Sequence, residues 1–224
     1  IFSGLLVSFL LAAHTAASAS KQSTITQSLN GTAVQNIAAP NAQGLSHNQF
    51  SVFNVDTKGL VINNSAVNAV SQIGGAVVAN PNLAGGEARL ILNEVTSGIR
   101  SMLQGTQELL GGRAGYILAN PNGITCDGCG FINFPRATLT TGAPIIDASG
   151  QLTGFNVLGG DLLVGAGGLN ATGVDYFDII ARSVDDLLST QTPDGCISTR
   201  TYDEQPKSSD LWERKYVLLG LQAW

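Results

Sequence analysis

The sequence predicts an all-β fold of short strands joined by tight turns, and three observations predict it. Charged residues make up 12% of the chain, too few to cover the exposed faces of a helical bundle, while Gly, Asn, Ala, Thr and Val are abundant. Beyond the first twenty residues no stretch carries a sustained helical period. Short apolar runs recur instead between Gly and Asn, as strands do between turns. At 224 residues the chain is long enough to bury one sizeable core.

Taken in order, "IFSGLLVSFLLAAHTAASAS" reads as a secretory signal peptide over 1–19 whose basic start is missing. It has an apolar stretch, small residues after it, and Ala17 and Ala19 in an A-x-A arrangement, with cleavage expected after Ala19. The apolar run to Ala13 is interrupted at Ser3, Gly4 and Ser8 and falls short of the ~20 residues that span a bilayer. An exported chain meets an oxidising compartment. Strands are then predicted in "GLVINN" (59–64), "GGAVVAN" (74–80), "RLILNEV" (89–95), "AGYILAN" (114–120) and "RATLTTG" (136–142). From 185 the composition changes: both tryptophans, Trp212 and Trp224, and the charge-dense "TYDEQPKSSDLWERKY" follow. This leaves 20–184 as the domain and 185–224 as an atypical tail.

Strand ends at Asn63, Asn64, Asn80, Asn120 and Asn133 favour a parallel β-helix over a sandwich, because a solenoid repeats its bends and Asn fits them. Coils of about 20–25 residues are expected. Two Asn-Pro-Asn motifs stand out, Asn80-Pro81-Asn82-Leu83 and Asn120-Pro121-Asn122-Gly123-Ile124. Pro fixes one backbone angle, and the Asn side chains can satisfy main-chain groups at a bend.

Cys126 and Cys129 flank Asp127-Gly128, a good turn pair, and in an exported protein a local disulfide is the simplest reading. Free thiols are the second. Zinc fits poorly, since only Cys196, His14 and His47 could complete four ligands. A thioredoxin-like centre fits worse, because the pair should open a helix and Pro135 and "ATLTTG" follow instead. His47, in "SHNQF", lacks a nearby Ser-Asp partner and reads as structural. Glu87 and Glu94 form a glycosidase pair only if folding unites them. Gly111-Gly112 leads into neither a phosphate-binding lysine nor a helix and reads as a bend. No cofactor is implied, and a net charge of −5 without a basic stripe argues against nucleic acid.

Four segments, "GLSHNQFSVFNV" (44–55), "GGAVVANPNL" (74–83), "ILANPNGITCDGCGFINFPRATLTTGAP" (117–144) and "GGLNATGVDYFDIIARSV" (167–184), together resemble the N-terminal secretion domain of two-partner-secretion exoproteins. That family contains filamentous haemagglutinins, haemolysins and contact-dependent growth inhibition toxins of Gram-negative bacteria. The similarity runs from about Thr24 to Val184. It implies a right-handed parallel β-helix with an N-terminal cap and extra-helical β-elements. It also implies a non-enzymatic secretion and folding module, monomeric, that passes through the periplasm to the medium or cell surface. The implied partner is an outer-membrane TpsB-type transporter, which recognises the module through POTRA domains. Both Asn-Pro-Asn motifs matter for secretion in the family; the first departs from the usual N-P-N-L-T at Ala84. The cysteine pair resembles the haemolysin and growth-inhibition branch. Any contact with a host or bacterial surface would come from a passenger beyond this chain, and the tail reads as a truncation or frameshift product. The competing readings are a glycan-binding adhesin, for which aromatics are few, and a polysaccharide-active β-helix enzyme, for which carboxylates are scattered.

Overall fold

A computed structural model describes residues 22–185 and the two-residue strand Leu218–Leu219. The leader 1–19, with His14, and nearly all of the 185–224 tail, with Cys196 and both tryptophans, lie outside the described residues. The described chain winds through three parallel sheets in a fixed cycle, which makes it a parallel β-helix.

An antiparallel cap strand, β1 (Thr24–Gln27), precedes the first coil, which contributes β2 (Ala33–Asn36), β3 (Leu45–Phe50) and a single bridge at Val55. The second coil holds β4 (Leu60–Asn64), then an inserted hairpin of β5 (Ala69–Ser71) and β6 (Gly75–Val77), then β7 (Leu90–Val95) and β8 (Ser101–Leu103). The third runs without interruption through β9 (Thr106–Gly111), β10 (Gly115–Ala119) and β11 (Ile124–Cys126). The fourth has β12 (Cys129–Ile132) and β13 (Arg136–Thr140), a second hairpin of β14 (Ala143–Ile146) and β15 (Leu152–Asn156), and β16 (Asp161–Val164). The fifth comprises β17 (Leu169–Gly173), β18 (Tyr176–Ile180) and β19 (Ser183–Asp185). Finally β20 (Leu218–Leu219) adds a parallel pairing to β18.

Sheet one stacks β2, β4, β9, β12 and β17; sheet two stacks β3, β7, β10, β13 and β18; sheet three stacks β8, β11, β16 and β19. Tyr116 pairs with Ala137 and Ser101 with Ile124, steps of 21 and 23 residues that fall within the expected coil length. The strand in "GGAVVAN" is real but belongs to the hairpin, not to a coil.

Alternation along each strand decides where side chains go. Ile62, Leu103, Leu118, Ile124 and Leu139 point inward and are fully buried with Tyr116, Phe131 and Phe134; each such Leu or Ile contributes about 2 kcal/mol by leaving water. Outward apolar residues would be exposed but for the two hairpins. The first covers Val34, Val61 and Leu110 with Val77, and the second covers Leu45, Leu92, Ile117 and Ala119 with Ile146, Leu152 and Phe155. Each insertion thus acts as a lid on one outer face.

The corners are built from Asn and Gly, as the sequence suggested. Asn63 donates to the Asn36 side chain one coil below at 2.8 Å. Asn64 donates to the carbonyls of Ala88 and Gly112 and accepts from the Ala88 amide. At Gly105 a Cβ would lie 2.1 Å from the Asp56 carbonyl oxygen, so coil stacking there requires glycine. The bottom of sheet two is closed by side chains: Asn48 accepts from the Ala38 amide at 2.8 Å, and Ser46 donates to the Ala38 carbonyl at 2.7 Å.

Candidate recognition site

Each Asn-Pro-Asn motif is a four-residue turn closed by a main-chain hydrogen bond, Leu83 N–H to the Asn80 carbonyl in one and Gly123 N–H to the Asn120 carbonyl in the other. Asn at the first position, Pro at the second and Gly at the fourth are what a type I turn favours. Neither Asn82 nor Asn122 has a positive φ, which agrees with that type. The first Asn of each motif accepts the amide of the second, at 2.9 Å for Asn82 to Asn80 and 3.0 Å for Asn122 to Asn120.

The remaining amide groups reach back to the coil below, apart from one bond of Asn80 to the Asn63 carbonyl in its own coil. Asn80 donates to the carbonyls of Ile37 and Asn63 at 3.0 and 2.9 Å, and Asn82 donates to Ile37 at 2.9 Å. Asn120 donates to the Ile99 carbonyl and the Ser101 hydroxyl at 3.0 and 2.9 Å, while Asn122 donates to the Ser97 carbonyl. Two motifs at different corners therefore perform one task, coupling their own coil to its predecessor. Asn80 and Asn120 are buried, at 3% and 0% exposure. Pro81 and Asn122 are exposed, and Asn82 and Pro121 are half-buried.

The fourth positions differ in what they pack. Leu83 enters the core. Gly123 adopts a φ of 99°, and a Cβ there would collide with the Arg100 guanidinium. Arg100 pairs with Asp161 and donates to the Ile124 carbonyl at 3.3 Å, so the second motif is also bound to the coil above.

Cys126 ends β11 and Cys129 opens β12, and a disulfide joins them with Cα atoms 5.3 Å apart. Both are buried in the main core, and Gly128 between them takes a φ of 87°. Because the sulfurs bond each other, neither is a thiolate free to bind a metal. Among the described residues no three His, Cys, Asp or Glu side chains group closely enough to hold an ion. His47 Nε2 lies 2.6 Å from Glu94 Oε2 on the outer face of sheet two, and Gln49 donates to the same oxygen. Glu87 sits elsewhere, against Gly112 and the Ala66 amide, so folding does not assemble the carboxylate pair with Glu94.

Two features had no signal in the sequence reading. Glu108 is 1% exposed and its carboxylate accepts from the Ser71 hydroxyl and the Gln72 and Ile73 amides at 2.6, 2.9 and 3.0 Å; it is the buried anchor of the first hairpin. Inside the helix, Gln35 and Asn93 exchange two amide hydrogen bonds of 2.8 Å, and the Tyr116 hydroxyl donates to Gln107 at 2.8 Å. Burial pushes the Tyr116 hydroxyl pKa far up, opposed by the hydrogen bond from Asn93. In "TQELLG" Glu108 follows polar Gln107 and precedes Leu109 and Leu110, a pattern that does not distinguish a hairpin anchor from an exposed strand carboxylate.

A family model described as "TPS secretion domain" matches residues 11–207. The chain is 51% identical over 158 residues to a "tRNA nuclease CdiA" of Escherichia coli, covering 70% of this chain and 5% of that protein. It is 50% identical over 157 residues to a "Hemolysin" of Proteus mirabilis, covering 69% of this chain and 10% of that protein. The chain thus spans a small fraction of the relatives it matches. Among solved structures, the crystal structure of the filamentous hemagglutinin secretion domain superposes with a TM-score of 0.68 at 46% identity, covering 73% of this chain and 54% of that one.

Proposed function

The chain belongs to the TPS secretion domain family, a secretion module of CdiA-, hemolysin- and filamentous-hemagglutinin-type exoproteins, and from that premise we propose that it is read as a folded object by the POTRA domains of an outer-membrane TpsB-type transporter. On this reading residues 1–19 direct the chain into the periplasm and are removed, 20–184 are the module, and 185–224 take no part in recognition. The Asn-Pro-Asn motifs serve recognition through the fold. The observation that carries this is the burial of Asn80 and Asn120 with their amides committed to neighbouring coils. A transporter docking on the folded domain has no access to them.

Catalysis is no part of the proposal. The nuclease named for the Escherichia coli relative belongs to that protein, of which the chain matches 5%, and the disulfide at 126–129 contributes stability.

The test is co-expression of the mature chain, and of residues 20–184, with a two-partner transporter, followed by assay of the medium. Transporter-dependent release of both is expected. Retention of both as folded periplasmic proteins would sink the secretion reading.

A further inference from the structure

Charge is distributed very unevenly along this chain. Residues 22–86 carry two charged side chains, Asp56 and Lys58, against fourteen over residues 87–185. The charge-poor stretch folds into β1, the first coil, β4 and the β5–β6 hairpin. On its outer side Thr26, Gln27, Val34, Asn36, Ala76, Val77 and Val78 line a groove between the cap strand and the hairpin, and none of them can ionise.

Two strand edges border that groove. Among the described residues β1 pairs with β2 alone and β6 with β5 alone. Exposed edges ordinarily carry Lys, Pro or a bulge that blocks further pairing; "TITQ" in β1 and "GAV" in β6 have none of these. Large apolar side chains flank the site in the open: Leu29 is 96% exposed, Val70 79% and Val78 71%. The β1–β2 and β5–β6 turns are held together at one end of the groove, since Asn30 and Thr32 both donate to the Ile73 carbonyl, at 2.8 and 3.1 Å.

A neutral surface with free main-chain edges and projecting Leu and Val can be covered without stripping water from ions. A charged partner segment would lose its hydration there, and the one cation nearby, Lys58, has its ammonium beside Gly31 in the turn and not among the groove's lining residues. We propose that this groove receives an extended, uncharged strand of the partner, added to the free edge of β6, with alternate apolar side chains directed at Val34, Leu29 and Val78. Main-chain hydrogen bonds supply the attachment and the alternating pockets supply selectivity, as in other strand additions. The proposal rests on the secretion reading above, in which the partner is the transporter's periplasmic region.

The experiment uses the full mature chain, the purified periplasmic domains of a two-partner transporter for binding, and the whole transporter, co-expressed, for release. Leu29→Asp and Val78→Asp place a charge at exposed positions and leave the core alone; Ile145→Asp and Leu158→Asp, at sites 49% and 77% exposed on the other insertion, are the controls. Both groove Asp variants are expected to weaken binding and release at least tenfold, with unchanged unfolding midpoints, and both controls to stay within twofold of the parent. In the parent complex the amides of Gly75 to Val78 should gain protection from hydrogen exchange. Groove Asp variants that bind and leave the cell like the parent would overturn the proposal while the secretion reading stands. So would a concentration-dependent dimer of the parent that Val78→Asp dissolves, since the occupant would then be a second copy. A parent chain neither bound nor released would remove the secretion reading itself.

Discussion

Asn120 shows how much of this fold depends on single amide groups. Its side chain accepts two hydrogen bonds and donates two with no exposed surface, so Asn120→Ala should cost about 3 kcal/mol, because the buried partners are left unsatisfied. Urea unfolding measures this, and Asn122→Ala, at an exposed position, should cost much less. The cysteine pair makes a smaller contribution. Closing a loop this short removes little unfolded-state entropy, about 2 kcal/mol in the chain-entropy treatment, so reductant should lower the urea midpoint modestly and leave Cys126→Ala/Cys129→Ala unaffected. Tyr116 sets the alkaline limit. Its hydroxyl pKa is raised in the fold by burial, so its contribution is complete below the unfolded value of about 10 and falls by about 1.4 kcal/mol per pH unit above it. Unfolding followed from pH 8 to 12 should show that slope in the parent and a shallower one in Tyr116→Phe.

At the level of elements, the two hairpins explain why outward-facing valines and leucines are tolerated on a solenoid. The first is held by one carboxylate, and Glu108→Ala should free its turn: amides around Ser71 to Gly75 would exchange rapidly while coil strands keep their protection. Stability should fall by about 3 kcal/mol, as hydrogen bonds to a charged group are worth about twice neutral ones. Gly105→Ala is expected to be worse, because the Asp56 carbonyl at 2.1 Å from the new Cβ is main chain and cannot turn aside; a loss of soluble yield at the same expression temperature would register it. All five strands named from apolar runs are strands in the molecule, since each run and its Gly or Asn boundaries are local properties. What period alone could not do was assign "GGAVVAN" to a hairpin, or see that Glu108 is roofed over. Both depend on contacts between residues far apart in the chain. The Asn-Pro-Asn motifs were legible as turns for the same local reason, whereas their reach into the preceding coil was not.

The described residues share a continuous interior, from Ile37 in the first coil to Ile179 in the fifth, crossed by the Gln35–Asn93 pair. Separate melting of the first and last coils would break that core in the middle, so far-UV circular dichroism and tyrosine fluorescence should report one coincident transition. Two coils melting apart, as in loosely coupled repeats, would show as a biphasic curve. The same stacking leaves the disulfide as the single covalent tie among the described residues, and its placement has a mechanical meaning. Three extended residues span about 10 Å, and the bonded Cα atoms stand 5.3 Å apart. A chain drawn taut from both ends therefore hides about 5 Å of contour behind the bond. Pulled through a narrow channel, the oxidised polypeptide travels almost in single file, with one four-residue kink in place of a trapped loop.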